Sequence, residues 1–366
     1  MTNGGKINGG ITKGLKILVS PADWGLGHVT RCIPIIQHLV ESGHKVILAA
    51  NGPGARILVE YFPYLEILET PTYGLTYSAK KGGLKWKLFL QLPKILTSIK
   101  RENRWLATQM RKQQFNVIIS DCRFGLHHPD AFCVFITHQL QLKSPFGKWT
   151  ERFFQKRNYS FINKFNECWV PDYKGSNNLA GELSHPSIMP AVPVKYIGAL
   201  SRFNKTNCSG NSIFDVLVVL SGPEPQRTIL ENIMLKQFAN YKGRAALVRG
   251  LPGETRTLTS PGLTVFNHLP PEKLCAVIAN SELIISRSGY TTVMDLVSLR
   301  KKSIMIPTPG QTEQEYLGRY LMQKQLCVCI QQHAFSLEDA LQQAAAFDYA
   351  DMSAFNMELS SSIFAS

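Results

Sequence analysis

The sequence predicts an α/β protein built from two doubly wound parallel-sheet domains that face a cleft. Short, unbroken apolar runs such as residues 16–20 and 283–285 recur along both halves, as expected for strands buried on both faces. Residues 283–316 give the clearest case, because strand, turn and helix patterns follow one another there twice. A polar stretch without apolar periodicity, residues 201–213, separates the two halves.

These patterns set the predicted domain boundaries. Residues 1–200 form a first Rossmann-like domain, residues 201–213 the linker, and residues 214–347 a second Rossmann-like domain. Residues 348–366 form a tail that we expect to return to the first domain. Two such halves enclose a cleft, the usual place for a site that takes two substrates.

Each strand of the first domain is predicted from an apolar run that ends in polar residues or glycine. The runs are residues 16–20, 45–50, 65–68, 116–120, 131–137, 167–170 and 194–197. Apolar residues at helical spacing predict the helices between them. In the first helix this stripe consists of Ile33, Ile36, Leu39 and Val40, and Gly43 ends the helix.

The second domain repeats this alternation. Its predicted strands are residues 214–220, 244–248, 263–266, 283–285, 303–306 and 326–330. The same periodicity predicts helices at residues 291–299, at residues 311–323 and from residue 336 onward.

Composition narrows the class of protein. The 366 residues, 44% of them hydrophobic, suffice for two full cores and argue against disorder. The eight cysteines form no CxxC pair, which favours reduced core thiols over disulfides or zinc. The first residues lack the apolar core of a signal peptide, and no stretch reaches membrane-spanning length. We therefore expect a cytoplasmic protein.

The formal net charge of +14 is concentrated in the first half. Residues 1–200 contain 25 Lys and Arg against 12 Asp and Glu, whereas the remainder is nearly balanced. Residues 80–112 alone hold ten of these cations and one acid, interleaved with apolar residues, as in a helix that lies on an anionic membrane surface. The alternative is a helix that packs on the sheet with a solvated basic face. Nucleic acid is a weaker alternative, because no nucleic-acid-binding motif accompanies the charge.

The turn after the first strand contains candidate catalytic residues. Gly25 and Gly27 allow a sharp turn and close approach to a ligand, and His28 begins the following helix. A neutral histidine there could take a proton from an acceptor hydroxyl, since a helix N-terminus disfavours the imidazolium ion. The alternative is that His28 only caps the helix.

Other polar residues follow later strands of the first domain and belong to the same sheet edge. Asp121 is expected either to orient His28 or to bind the acceptor, and a turn-forming role is equally open. Arg123, His138 and Gln139 are predicted, with the two glycines of the first turn, to line the acceptor side.

The second domain offers two turns suited to a nucleotide sugar. Ser288 and Gly289 precede a helix whose free amides suit a phosphate, and Asp295 further along could accept two ribose hydroxyls. The next turn is dense in groups that bind sugar hydroxyls, from Gln311 to Glu315. Each feature alone has an ordinary structural explanation, but together they favour a nucleotide-sugar site.

The motif SRSG-x-x-T-V-x-D, followed by a strand, a proline and a Gln/Glu-rich helix start, resembles the donor half of the family 28 (MurG-like) glycosyltransferases. The resemblance implies the GT-B fold and a UDP-sugar donor. It implies ribose binding by Asp295, diphosphate contact at Ser221 and Gly222, and uracil recognition around residues 266–269. Gln314 and Glu315 would hold the donor sugar, with Glu at a position where the family has Gln. The predicted donor-binding set is Ser221, Gly222, Arg227, Arg249, Phe266, Asn267, Leu269, Ser288, Gly289, Thr291, Asp295, Gln311, Gln314 and Glu315.

The first-domain turn Gly25-x-Gly27-His28-x-x-Arg31 also resembles that of nucleotide-sugar hydrolases of the pseudaminic-acid pathway, in which this histidine is thought to activate water. The resulting hypothesis is an inverting glycosyltransferase with His28 and Asp121 as catalytic residues. Its acceptor would be lipid-linked or close to the inner face of the cytoplasmic membrane. No Asp-x-Asp, P-loop or His/Cys metal motif occurs, so we expect neither a metal nor another cofactor. A UDP-sugar hydrolase and a non-catalytic binding protein are the alternatives.

Overall fold

Two separate parallel sheets organise the chain. The computed structural model describes residues 14–74, 83–144, 146–203, 214–256 and 258–355, with only the backbone for residues 83–92. Within these residues the two sheets contain seven and six strands, and every strand pair in them is parallel. This confirms the predicted fold class.

The first sheet has the strand order β3-β2-β1-β4-β5-β6-β7. Its strands are β1 (Lys16–Pro21), β2 (Lys45–Ala50), β3 (Ile67–Glu69), β4 (Val117–Asp121), β5 (Phe132–Ile136), β6 (Glu167–Val170) and β7 (Val194–Tyr196). Its helices are α1 (Leu26–Glu41), α2 (Gly52–Tyr61), α3 (Gly83–Lys112) and α4 (Lys148–Ile162). The chain reverses its direction across the sheet between β1 and β4, where open α/β sheets bind ligands.

The second sheet has the order β10-β9-β8-β11-β12-β13. Its strands are β8 (Phe214–Val219), β9 (Ala245–Val248), β10 (Thr264–Phe266), β11 (Ser281–Ser286), β12 (Lys302–Met305) and β13 (Val328–Cys329). Its helices are α5 (Gln226–Phe238), α6 (Pro271–Ala279), α7 (Tyr290–Ser298), α8 (Thr312–Gln323) and α9 (Leu337–Ala346). The corresponding switch point lies between β8 and β11.

Central strands are buried on both faces, which is why unbroken apolar runs predicted them. Ile17, Leu18 and Val19 of β1 are all fully buried. The edge strands β3 and β13 are shorter than predicted, because an edge strand has a neighbour on one side only.

One cysteine departs from the predicted reduced state. Six cysteines of the described chain are free, whereas Cys275 is disulfide-bonded, so the expectation of reduced thiols fails at that residue.

Phe355 of the predicted tail lies against Tyr173 of the first domain, with ring centroids 5.4 Å apart. The tail beyond residue 355 lies outside the described residues, as do residues 204–213 of the predicted linker.

The basic stretch forms the long helix α3. The side chains of Ile99, Leu106 and Met110 are buried, so the second half of the helix packs on the sheet. Most of the apolar residues in the predicted membrane face belong to residues 80–92, whose side chains lie outside the described part. No helix within the described residues is both long and apolar enough to cross a bilayer.

A buried ion pair joins α3 to the turn after β4. Arg123 Nε donates to Glu102 Oε1 at 2.6 Å, and both side chains are fully buried. The other carboxylate oxygen accepts from the Tyr73 hydroxyl at 2.5 Å and the Gly125 amide at 3.0 Å. The predicted acceptor-binding role of Arg123 is therefore wrong, because its guanidinium lies in the core and is bound to Glu102.

Replacing Arg123 by Met should lower the free energy of unfolding by about 3–5 kcal/mol, since Glu102 would stay buried without its cation. Urea denaturation measures this loss. The exposed Arg101→Met variant, on the same helix, is the control and should stay within about 0.5 kcal/mol of wild type. Equal stabilities for the two variants would contradict the assignment.

Candidate active site

The carboxyl ends of the two sheets meet at the starts of α1 and α7. The Thr291 hydroxyl of α7 donates to the Gly27 carbonyl of α1 at 3.2 Å. A Cβ atom on Gly27 would lie 2.8 Å from this hydroxyl oxygen, so glycine permits the close approach. The first turn of α1 and the first turn of α7 are therefore in direct contact.

His28 lies at this junction and contacts Asp121, as the sequence predicted for one of its alternatives. Its Nδ1 is 2.9 Å from Asp121 Oδ1, and the histidine side chain is 17% exposed whereas the carboxylate is fully buried. Asp121 is the last residue of β4, which pairs directly with β1. The order of the sheet thus brings together two residues 93 positions apart.

Arg31, one helical turn after His28, contacts both members of this pair. Its Nε and Nη2 donate to the two oxygens of Asp121, and Nη2 also lies 2.9 Å from His28 Nδ1 and 3.4 Å from Cys122 Sγ. His28 Nδ1 can therefore either accept from Arg31 Nη2 or donate to Asp121 Oδ1, and the second tautomer is the one that suits a base. His28 Nε2 then carries the free lone pair that a general base needs.

Charge and burial support a neutral His28. Burial and then the Arg31 guanidinium lower the pKa of His28, and the Asp121 carboxylate opposes them only in part. Burial disfavours the Asp121 carboxylate, but Arg31 and then His28 outweigh it and hold the pKa of Asp121 well below its usual range. These effects favour a neutral imidazole beside an ionised carboxylate at neutral pH.

His138 and Gln139, predicted to line the acceptor side, both bind Glu313 of the second domain. His138 Nε2 lies 2.8 Å from Glu313 Oε1, and the Gln139 side-chain amide donates to Oε2. The Tyr290 ring stacks on His138 with centroids 4.3 Å apart. Neither Arg31 nor Glu313 was among the predicted site residues, although Arg31 belongs to the motif and Glu313 to the polar helix start.

The donor side offers open glycines at two strand ends. A Cβ atom built on Gly289, at the N-cap of α7, would meet no atom within 4 Å, and its φ of −71° is unstrained. Gly222, after β8, is equally open and has a φ of +102°, which favours glycine. Ser288 is buried, and its hydroxyl donates to the Gln314 carbonyl. The space beside Gly289 is therefore open to a ligand at the start of α7, where helix amides have no partner within the helix.

Arg287 is a further cation that the sequence analysis overlooked. It is only 1% exposed and donates to the carbonyls of Gln226, Ile306 and Pro307, while its Nε has no partner. Burial lowers the pKa of its guanidinium to about 10, and no carboxylate offsets this effect. This positive charge, directly before Ser288 and Gly289, suits a neighbouring anion.

Arg227 and Arg249, predicted as phosphate ligands, are instead paired with carboxylates. Arg227 donates to Glu224 and Glu231 at 2.5 and 2.6 Å, and only 5% of the residue is exposed. Arg249 binds the same Glu231 through two nitrogens, at 2.9 and 3.0 Å. The structure thus contradicts the prediction for Arg227, and a phosphate would have to displace Glu231 from Arg249. The Arg227–Glu231 pair is local, since both residues lie on α5 four positions apart, whereas Arg249 lies 18 positions after Glu231 and its pairing was not visible in the sequence.

The remaining predicted donor residues also have partners within the protein. Asp295 is 6% exposed and accepts from the Ser201 hydroxyl at 2.8 Å, so a ribose would have to replace that contact. Gln314 binds the Thr308 amide and Gln311, and Glu315 binds the Gly310 amide, so these side chains fix the turn after β12.

The turn after β10 was predicted to recognise uracil. Asn267 binds Arg249 and the carbonyls of Glu254 and Arg256, while Leu269 is 8% exposed and packs in the core. Phe266, at the end of β10, is partly buried. The side chains thus order this turn, and base recognition here would fall to main-chain groups.

His28, Asp121 and Cys122 place potential metal ligands within 4.8 Å of one another. Both oxygens of Asp121 already bind the Arg31 guanidinium. A cation would have to compete with this fixed positive charge, so we assign no metal to the cluster.

Replacing Arg31 by Met should raise the pKa of His28 by about one unit or more, because Arg31 lowers it and the unpaired Asp121 carboxylate would raise it. NMR titration of the histidine ring measures the shift. The control is Arg111→Met at the end of α3, and an unchanged His28 titration in the Arg31 variant would contradict the arrangement described above.

Comparison with known proteins agrees with this architecture. Residues 271–362 match the glycosyltransferase family 28 C-terminal domain. No curated protein sequence matches this chain.

Solved structures match over nearly the whole chain. MurG of Acinetobacter baumannii is 13% identical with a TM-score of 0.54, and the match covers 90% of both chains. The calicheamicin glycosyltransferase CalG4 is 11% identical (TM-score 0.63, covering 92% of this chain and 91% of that one). Arabidopsis thaliana UGT89C1, solved with UDP-L-rhamnose, is 12% identical (TM-score 0.60, covering 92% and 90%). The predicted resemblance is confirmed: residues 271–362 match the family 28 C-terminal domain, and the chain shares the GT-B fold of these solved glycosyltransferases.

Proposed function

We propose that this protein is an inverting, metal-independent glycosyltransferase. It moves a hexose or N-acetylhexosamine from a UDP-sugar to a lipid-linked or membrane-proximal acceptor in cell-envelope glycan synthesis. The observation that carries the proposal is the His28–Asp121 pair, which lies across the cleft from the open start of α7.

The geometry supports a single displacement at the anomeric carbon of the sugar. The acceptor hydroxyl oxygen attacks that carbon while its proton passes to His28 Nε2, and the bond from carbon to the UDP oxygen breaks. Asp121 keeps Nδ1 protonated and stabilises the imidazolium ion that forms. Attack opposite the leaving group inverts the anomeric configuration.

The diphosphate that leaves needs positive charge on the second domain. The free amides at the start of α7 and the loop at Gly222 supply hydrogen-bond donors, and helix α7 adds its dipole. Arg287 lies beneath this turn with no acid to neutralise it. These groups would provide the electrostatic stabilisation that a metal provides in other transferases.

Helix α4 supports an acceptor close to a membrane. Phe146, Trp149 and Phe153 are 59%, 79% and 55% exposed, and the Trp149 and Phe153 rings stack 6.5 Å apart. The exposed cations Lys148, Arg152, Lys156 and Arg157 surround them, whereas the one acid of α4, Glu151, turns back to the Ser144 amide. Exposed aromatic rings among cations suit the interface of an anionic bilayer.

This aromatic and basic surface is close to the cleft. The loop before α4 contacts α8 of the second domain, where Thr312 donates to the Lys143 carbonyl at 2.9 Å. A membrane bound by α4, together with residues 80–112, would therefore present a lipid-linked acceptor beside His28. We therefore propose that the protein acts at the inner face of the cytoplasmic membrane.

A UDP-sugar hydrolase is the second candidate, because Arg31 of the motif Gly25-x-Gly27-His28-x-x-Arg31 is central to the site. Water would then replace the acceptor hydroxyl. The exposed surface of α4 favours transfer, since a hydrolase of a dissolved substrate needs no membrane face.

Incubating the protein with a panel of UDP-sugars, with and without bacterial membrane lipids, should give UDP release that requires lipid. His28→Ala should lower the turnover rate by about 10²- to 10⁴-fold and leave the affinity for UDP nearly unchanged, since only proton transfer is lost. Gly289→Val is the matched binding variant: its side chain enters open space, so stability should be kept while UDP affinity falls.

Three other outcomes would each contradict one part of this proposal. UDP release without lipid would establish the hydrolase, and full activity of His28→Ala would exclude His28 as the base. Unchanged UDP affinity in Gly289→Val would place the nucleotide elsewhere.

The protein should sediment with vesicles of phosphatidylglycerol and phosphatidylcholine at low salt. Replacing Trp149 and Phe153 together by Gln should weaken this binding by about tenfold, because two aromatic rings no longer enter the interface. Tyr64→Gln is the control, since Tyr64 is 67% exposed but lies outside α4. Equal binding of the double variant and wild type would exclude α4 as the contact surface.

A further inference from the structure

A chain of five side chains crosses the cleft and ends at His28. Glu313 of α8 binds His138 at 2.8 Å, and His138 Nδ1 is 3.1 Å from Arg31 Nη1. Arg31 binds both oxygens of Asp121, which binds His28 at 2.9 Å. Four members belong to the first domain, and only Glu313 belongs to the second.

The chemistry of arginine fixes the protons along the chain. A guanidinium has only donors, so His138 Nδ1 must accept from Arg31. A neutral His138 then carries its proton on Nε2 and donates it to Glu313 Oε1. Glu313 is therefore the group that stabilises the one tautomer of His138 that Arg31 can bind.

We propose that Glu313 is a positioning residue of the second domain, which acts through His138 and Arg31 to align His28. This inference rests on the proposed function, because it assumes that His28 is the base. It adds a role for a side chain on the helix that was predicted to hold the donor sugar.

Loss of Glu313 has a specific consequence. With no acceptor at Nε2, a neutral His138 can carry its proton on Nδ1 instead. A protonated Nδ1 would place a donor against the donor Arg31 Nη1, and this repulsion would displace the guanidinium from Asp121. His28 would then lose the cation that lowers its proton affinity.

Among the described residues, no carboxylate other than Glu313 binds His138. His138 is 5% exposed and is covered by the Tyr290 ring of α7. The titratable and charged groups near His28 and His138 include Arg31 on α1, Asp121 at the end of β4, Cys122 after it, Tyr290 on α7 with Asp172 beside it, and Glu313 on α8. Gln139 binds the second oxygen of Glu313 as a donor.

The test is an NMR titration of ¹⁵N-histidine-labelled full-length protein without substrate, which also reports the tautomer of His138. Wild type should show His138 protonated on Nε2 and a His28 pKa below 6.5. Glu313→Ala should raise the pKa of His28 by about one unit, because Arg31 moves away from the ring. His138→Phe keeps the stack on Tyr290 but offers Arg31 no opposing donor, so its effect should be small.

The double variant, Glu313→Ala with His138→Phe, distinguishes an effect of Glu313 through His138 from a direct effect of Glu313 on His28. If Glu313 acts through His138, Glu313→Ala should cause no further shift of His28 in the His138→Phe background. Tyr320→Phe is the matched control, since it removes another interdomain hydrogen bond of α8, to Asn178 at 2.7 Å, without touching the chain. It should leave the His28 titration unchanged.

Three results would overturn the proposal: an unchanged His28 titration in Glu313→Ala, an equal shift in the His138→Phe background, or the same shift in Tyr320→Phe. None of these measurements depends on turnover. A protein without transferase activity could therefore still show the coupling, and an active transferase could lack it.

Discussion

The ion pair between Arg31 and Asp121 is the interaction on which the rest of the site depends. It joins the first helix to the end of the fourth strand and holds the Asp121 carboxylate within hydrogen-bond distance of His28 Nδ1. A buried carboxylate without this cation would be costly, and the imidazole would have no fixed tautomer. The same guanidinium reaches His138 and thereby the second domain. One residue thus connects the stability of the sheet edge, the state of the proposed base and the contact between domains.

The fold was predictable because its strands are buried on both faces. An apolar run such as residues 45–50 leaves little choice of structure, and the observed β2 has the same bounds. The order of the strands then follows from the alternation of strands and helices, which also places His28, Asp121 and His138 at one edge. Topology therefore accounts for the part of the site that the sequence analysis identified.

Side-chain pairing was not predictable in the same way. Arg123 and Arg249 follow strands and look like ligands, but Glu102 on α3 and Glu231 on α5 bind them. Conversely, Arg31 lies inside a helix and Arg287 in a turn of small residues, and no local pattern showed that both are buried cations at the cleft. Whether an arginine is structural or available depends on an acid elsewhere in the chain, and only the three-dimensional arrangement supplies that partner.

The account places a nucleotide diphosphate on the second domain, directly opposite the imidazole of the first. A crystal structure of the UDP complex tests this placement most directly. It should show the diphosphate oxygens hydrogen-bonded to the main-chain amides of Gly289 and Tyr290, with His28 Nε2 facing the terminal phosphate across the cleft. UDP bound away from the start of α7, or a His28 ring turned into the protein interior in that complex, would contradict the account.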